Sequence, residues 1–366
     1  VRAVPFYQLI SDDIGYIVLS KFNRKTTTET KAALEDLKLQ GATKIILDLR
    51  GNPGGLLTEA INVVNLFVPK GASIVTTKSA IKKYNKTYKT QKPAFDTEIP
   101  LVVLVNGRSA SASEIVSGGL QDLDRAVVIG ARSFGKGLVQ RPKKLTYGTQ
   151  LKVTISRYYT PSGRCIQALD YWNRDENGDP IRLGAEEYNS FKTKGGRTVY
   201  DGGGIMPDIE LKSGEFSPIT TALLKDQAIF DYATKYYYNN KISNWEDFYF
   251  SDRDFQDFLK FLKTNNFEYE TETEKLFSEA LRKSEDEYLQ KDISSSYNQL
   301  MIVLDNAKEK ALVEKKEEII NLLSDEILKR YFYRDGMYKY HLNYSPEILE
   351  AVSVLNNTSR YQKILK

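Results

Sequence analysis

The sequence holds one cysteine, Cys165, and one histidine, His341, in 366 residues. A lone cysteine excludes an intramolecular disulfide framework and a Cys-rich zinc site. A lone histidine leaves little room for a histidine-built metal centre and supplies at most one histidine base. No apolar run reaches the roughly 18 residues that span a bilayer as a helix, which excludes an integral helical membrane protein for these residues. A charge excess is missing too. The 52 basic and 48 acidic residues leave a net +4, so the electrostatics call for no nucleic-acid partner. The opening Val1-Arg2-Ala3-Val4-Pro5 has no basic segment followed by an apolar one, and no export signal is read there. The cysteine content fits an oxidising compartment and the cytosol equally.

What is present is a globular balance, with 41% hydrophobic and 27% charged residues. At roughly 100–200 residues per domain, the length predicts two or three domains. The first half alternates in type. Gly15 to Ser20, Thr43 to Leu49 (TKIILDL), Pro100 to Val105 (PLVVLV) and Ala126 to Ile129 are short apolar, β-branched runs that predict buried strands. Between them, Thr26 to Leu39, Leu57 to Phe67 and Ser111 to Asp122 have helical spacing. This order predicts an α/β layer with parallel strands. Leu138 to Tyr159 reads as extended chain turning at Tyr147-Gly148, and residues 161–208 as a long polar, Gly-rich stretch. After about Ser213, strand-like runs give way to charged helical patterning. Leu300, Leu304, Ala307, Ala311, Ile319, Leu322, Leu323 and Ile327 predict one face of a long helix. The tyrosine clusters at 236–238 and 331–333 predict packing between helices, with a peptide-binding groove as the alternative. Lys308 to Glu318 reads as a solvated helix face.

Two segments can carry chemistry. In Asp48-Leu49-Arg50-Gly51-Asn52-Pro53-Gly54-Gly55 a buried strand ends in a Gly-rich turn before a helix. Glycines there can aim backbone N–H groups at an oxyanion. The second is Asn106-Gly107-Arg108-Ser109-Ala110-Ser111-Ala112-Ser113-Glu114, where serines alternate with small residues at a helix start. The helix dipole favours developing negative charge there, and the next N–H is free to receive it. The same residues spell a capping box from Ser111 to Glu114, which is purely structural. A serine nucleophile needs a base. His341 lies far away in a helical, aromatic region, so a Ser-His-Asp triad is not expected. A lysine is the recognised substitute if it can be neutral, and Ser133-Phe134-Gly135-Lys136-Gly137 offers one between two glycines, in a loop able to return to the helix start.

The segments DLRGNPGG (48–55), NGRSASASEI (106–115), LQDLDRAVVIG (120–130) and SFGKGLVQ (133–140) resemble, in this order, the C-terminal processing peptidases, or tail-specific proteases, which use a Ser-Lys dyad. YYTPSGRCIQ (158–167) and GGGIMPDI (202–209) fit the same resemblance, which covers roughly residues 10–212. It implies Ser111 as nucleophile, Lys136 as general base and Gln140 as the residue orienting that lysine. It also implies an oxyanion hole from the Ala112 N–H and that of Gly54 or Gly55. Asp122 matches an aspartate some members need. A helix rise of about 1.5 Å per residue puts it roughly 16 Å from Ser111, so a supporting role is expected.

The resemblance further implies a ClpP/crotonase-like α/β core of stacked β-β-α units in residues 1–212, followed by an α-helical domain in residues 213–366. That domain is similar to aromatic-rich extensions of members from the Bacteroides group. No PDZ-like stretch is read in this chain, although many members carry one. The resemblance implies no metal or organic cofactor. It implies protein or peptide substrates with accessible C-terminal tails, assembly into a homo-oligomer or with an adaptor protein, and a periplasmic or cell-envelope location. Two alternatives to the peptidase remain at this point: a catalytically silent binding module on the same core, and a fragment inactive without its PDZ domain. A coenzyme A-binding hydratase is an analogy of fold alone, and no basic pocket signature for it is present.

Overall fold

A computed structural model describes residues 1–176, 178–182, 184–211 and 216–366. The chain divides into two compact units, Val1–Ser213 with His341–Lys366, and Gly214–Tyr340. The expected boundary at 212/213 falls outside the described residues.

The first unit opens with a hairpin of β1 (Phe6–Ile10) and β2 (Ile14–Val18), then α1 (Thr26–Leu39), β3 (Lys44–Asp48) and α2 (Leu57–Phe67). Next come β4 (Ser73–Lys78), β5 (Lys86–Lys89), β6 (Leu101–Val105), α3 (Ala112–Asp122) and β7 (Val127–Gly130). A hairpin of β8 (Leu138–Lys144) and β9 (Gln150–Tyr159) follows. The Gly-rich stretch then forms two small hairpins, β10 (Leu169–Arg174) with β11 (Pro180–Arg182) and β12 (Ser190–Lys192) with β13 (Thr198–Tyr200), before β14 (Ile209–Glu210). The main sheet has the order β1-β2-β3-β6-β7-β14, parallel from β2 onward. A second sheet, β5-β4-β9-β8, is antiparallel. The fold is thus the expected α/β core, with helices following it.

The strands of the main sheet read as unbroken apolar runs because both faces are covered. Ile45, Leu47, Leu101, Val103, Val105 and Val128 point into one core with α1, α2 and α3. The alternate residues Ile46, Val102, Leu104, Val127 and Ile129 are equally buried. Each fully buried Val, Leu or Ile contributes about 1.5–3 kcal/mol, so this second face needs a cover. α10 (Pro346–Asn356) lies against β3, β6 and β7, and α11 (Thr358–Leu365) against β7. The Tyr361 hydroxyl is held at Leu101, whose N–H donates to it at 2.9 Å. Placing all of residues 213–366 in a separate helical domain is therefore corrected: the last two helices complete the core.

The second unit runs through α4 (Pro218–Lys225), α5 (Ala228–Asn239), α6 (Asp252–Thr264), α7 (Glu272–Asp286), α8 (Gln290–Glu314) and most of α9 (Lys316–Tyr344). Its core joins Tyr232, Phe255 and Phe258 to Ile319, Leu323 and Ile327. The expected long helical face is split after Glu314. Its C-terminal part on α9 is buried, whereas α8 contributes no buried residue among those described and Leu300 is exposed. The aromatics divide likewise. Tyr236 and Tyr331 pack against this core, while Tyr238 and Tyr333 face solvent. No described helix is long and apolar enough to cross a membrane.

Candidate active site

The three alternating serines have different fates. Ser109 is buried, and its hydroxyl donates to the Leu49 carbonyl at 2.8 Å. Ser113 is buried, and its hydroxyl donates to the Asn52 carbonyl at 2.9 Å. Both tie the serine segment to the Gly-rich turn after β3. Ser111 alone remains for chemistry. It is the N-cap of α3 with φ 56° and ψ −108°, a left-handed backbone that costs a non-glycine residue of order 1–3 kcal/mol. Such strain persists only where the surroundings enforce it. Its hydroxyl faces the Glu114 N–H as in a capping box, yet no cap hydrogen bond holds it; that N–H donates to the Ser111 carbonyl at 2.9 Å.

Glu114 enforces the geometry. Its side chain is fully buried and accepts four hydrogen bonds. Oε2 receives the N–H groups of Ser111 at 2.7 Å and Lys136 at 2.9 Å. Oε1 receives the Ser133 hydroxyl at 2.6 Å and the Gly135 N–H at 2.7 Å. One carboxylate thus binds the serine turn to the lysine loop. Burial pushes its carboxyl above the ordinary value, against the pull of these donors. Tyr158 makes a second clamp. Its buried hydroxyl lies 2.6 Å from the Lys136 carbonyl and 3.2 Å from the Ser111 carbonyl. Burial, then the nearby Glu114 charge, push this phenol well above its usual range, so it stays a donor. Gly135, at φ 86°, rests on Ala168, whose Cβ would lie 2.3 Å from any Cβ placed there.

Lys136 is half-buried, and its ammonium makes no ion pair among the described residues. The structure brings Lys136 and Ser111 together through their backbones, with no hydrogen bond between Nζ and Oγ. Gln140 is not gathered with them. It sits exposed on β8, beside a bulge in the β8–β9 pairing, and its amide donates to Thr154 Oγ1 at 3.4 Å.

The Gly-rich turn after β3 packs against Ser111. A Cβ on Gly54 would meet the Ala110 carbonyl at 2.6 Å, Ala112 N at 2.8 Å and Ser111 Cβ at 2.9 Å, so only glycine fits. Of the two candidate donors, the Gly54 N–H is spent on Asn52 Oδ1 at 2.9 Å. The N–H groups of Ala112 and Gly55 make no hydrogen bonds among the described residues, which leaves this pair to receive an oxygen. Asn52, buried, donates from its side chain to the Leu19 carbonyl at 2.6 Å, and the Asn52 backbone carbonyl accepts the Ala110 N–H at 3.0 Å.

Asp122 stands at the far end of α3 from Ser111. It forms a fully buried ion pair with Arg164 at 2.7 Å and accepts the Ser162 N–H at 3.0 Å. His341 lies at the C-terminal end of α9. Among the described residues no group of three or more His, Cys, Asp or Glu side chains is placed to hold a metal ion. Sequence reasoning missed the roles of Glu114 and Tyr158. Glu114 was visible as a capping residue, but three of its four donors come from the loop at Ser133, Gly135 and Lys136.

Residues 13–171 match the family model "Peptidase family S41", and residues 219–355 match "Probable PDZ-protease, C-terminal helical domain". A carboxy-terminal-processing protease of Bartonella bacilliformis is 43% identical over 176 residues, covering 46% of this chain and 39% of the relative. A carboxyl-terminal-processing protease of Synechocystis sp. is 42% identical over 156 residues, covering 43% and 36%. The chain thus spans well under half the length of these curated relatives. A solved structure, the photosystem II D1 C-terminal processing protease, is 32% identical, with 54% of this chain and 42% of that one covered and a TM-score of 0.41. The strand-turn-helix site lies inside residues 13–171, the part of the chain that is similar to peptidase family S41.

Proposed function

We propose that this chain is a serine endopeptidase that cuts proteins at or near their C-terminal tails, with Ser111 as nucleophile and Lys136 as general base. The observation that carries this is the strained Ser111 at the start of α3, with Lys136 clamped to it through Glu114 and Tyr158. Preference for C-terminal tails rests on the names of the relatives. In the reaction, neutral Lys136 takes the Ser111 proton as Oγ bonds to the scissile carbonyl carbon. The carbonyl oxygen becomes an oxyanion held by the Ala112 and Gly55 N–H groups. As the C–N bond breaks, the lysine returns that proton to the leaving amine. Gln140, turned toward Thr154, stands outside this arrangement. Protein substrates and an exported, periplasmic or cell-envelope setting belong to the same proposal, as does a homo-oligomer or adaptor.

Casein cleavage by the chain, beside Ser111→Ala and Lys136→Ala, tests the reading. Cleavage by the parent and loss in both variants is the expected result. Cleavage surviving in either variant refutes the dyad. A parent that neither cleaves nor reacts with a serine-directed phosphonate favours the binding module.

A further inference from the structure

Beneath the oxyanion turn, Arg50 lies between carboxylates from opposite ends of the chain. Its Nε contacts Asp48 Oδ1 at 3.1 Å and Oδ2 at 3.0 Å, and its Nη2 donates to Oδ2 at 2.6 Å. Its Nη1 donates to Ser345 Oγ at 2.7 Å and to Glu347 Oε2 at 2.8 Å. The assembly is closed on itself. Tyr16 Oη donates to Asp48 Oδ2 at 2.6 Å, and Ser345 Oγ donates to Glu347 Oε2 at 2.7 Å. Asp48 and Tyr16 stand on the sheet face that α10 covers, as the registers Tyr16↔Ile46 and Val18↔Asp48 require. The backbone N–H of Arg50 also donates to Asp48 Oδ1, at 2.8 Å. Arg50 is therefore held at both its side chain and its backbone, and the next five residues are the turn that presents Gly55.

We propose that Glu347, in the first turn of α10, is a positioning residue for the oxyanion turn and acts through Arg50. The proposal rests on the peptidase reading of the site above. It gives the C-terminal return segment a part in the reaction. Charge-assisted hydrogen bonds donated to two carboxylates fix a planar guanidinium in one orientation. Without Glu347, Arg50 keeps Asp48 as its charge partner and Ser345 Oγ as an acceptor for Nη1. It loses the second carboxylate, which fixes Nη1 directly and also holds the Ser345 hydroxyl. The turn that follows then has a mobile anchor. An oxyanion hole works only while its donors are held at the position of the developing charge. A first-turn acid also favours its own helix, so the test separates positioning from helix stability.

The experiment uses the full chain with Glu347→Ala and Glu347→Gln, the latter keeping an acceptor oxygen for Nη1. Three readouts are taken: hydrogen–deuterium exchange of peptides covering residues 50–56, kcat and KM for peptide cleavage, and affinity for a peptide boronate. In Glu347→Ala, exchange at 50–56 rises several-fold while the rest of the core is unchanged. The kcat falls about tenfold with KM little altered, and boronate affinity falls by the same factor, as for a loosened oxyanion donor. Glu347→Gln restores most of each. Exchange at 50–56 equal to the parent's overturns the proposal, as does a lowered melting temperature with kcat and boronate affinity intact. Should Glu347→Ala fail to fold, the same criteria are applied to Glu347→Asp, which keeps the first-turn charge but shortens its reach to Arg50. If the parent neither cleaves nor binds the boronate, the peptidase reading has failed, and exchange at 50–56 decides the positioning claim alone.

Discussion

Glu114→Ala deletes the carboxylate that joins the serine turn to the lysine loop. It leaves three N–H donors, the buried one of Gly135 and the half-buried ones of Ser111 and Lys136, facing a cavity. Each unsatisfied donor costs about 1–3 kcal/mol. Relief of the buried charge offsets part of this, and a net loss of about 4–6 kcal/mol follows, at the top of the range for one substitution. For a domain of this size about 2–4 °C accompany each kcal/mol, so the core transition drops by roughly 10–20 °C. Glu114→Gln is much milder. Its amide nitrogen can take the place of Oε1, where the Ser133 hydroxyl can rotate to accept, and only the Gly135 N–H loses its partner. Its remaining oxygen still receives Ser111 and Lys136. The expected loss is about 1–3 kcal/mol. Cleavage separates the two variants in the same order: the Gln form stays within about tenfold of the parent, and the Ala form loses roughly 10²-fold through misplacement of the reacting groups. Calorimetry of the core transition and peptide cleavage measure both effects. Equal melting temperatures for parent, Gln and Ala refute the clamp. So does an Ala variant as active as the Gln form.

Three further outcomes follow from the same geometry. Ser111→Gly abolishes cleavage yet raises the melting temperature, because relief of the positive φ, of order 1–3 kcal/mol, exceeds the entropy cost of glycine, about 0.5–1 kcal/mol; a lower melting temperature contradicts the strain. Asp122→Asn breaks a fully buried ion pair and costs about 3–5 kcal/mol, while the folded fraction keeps its kcat; a normal melting temperature with kcat lost would make Asp122 functional after all. The third concerns pH. Burial raises the Glu114 carboxyl above its ordinary 4.5, so as pH rises the unfolded chain releases this proton before the folded one does. The folded state then holds more protons, and stability falls with rising pH through the window between the ordinary and the raised value. Burial raises Asp208 in the same sense. Glu114→Gln therefore flattens this slope without abolishing it, and melting curves from about pH 4 to 7 show whether it does.

The readable parts of the chain were those governed by neighbours in sequence. α1 and α2 begin and end where the spacing of apolar residues places them, at Thr26–Leu39 and Leu57–Phe67, because periodicity and a following Gly or Pro act within a few residues. The runs IILDL and LVVLV announced strands buried on both faces. The serine and lysine motifs could be singled out because residue type and spacing are local properties. What covers the second face of the sheet was not readable there: α10 and α11 are ordinary amphipathic helices until Val102 and Leu104 need a partner. The choice of Gly55 over Gly54 depends on where the Asn52 side chain turns back, and the work of Glu114 and Tyr158 on which carbonyls and N–H groups a folded loop delivers to them. Hydrogen-bond satisfaction is settled among groups distant in the chain, which is why the serine and lysine motifs could be singled out in the sequence while the contacts that join them required the fold.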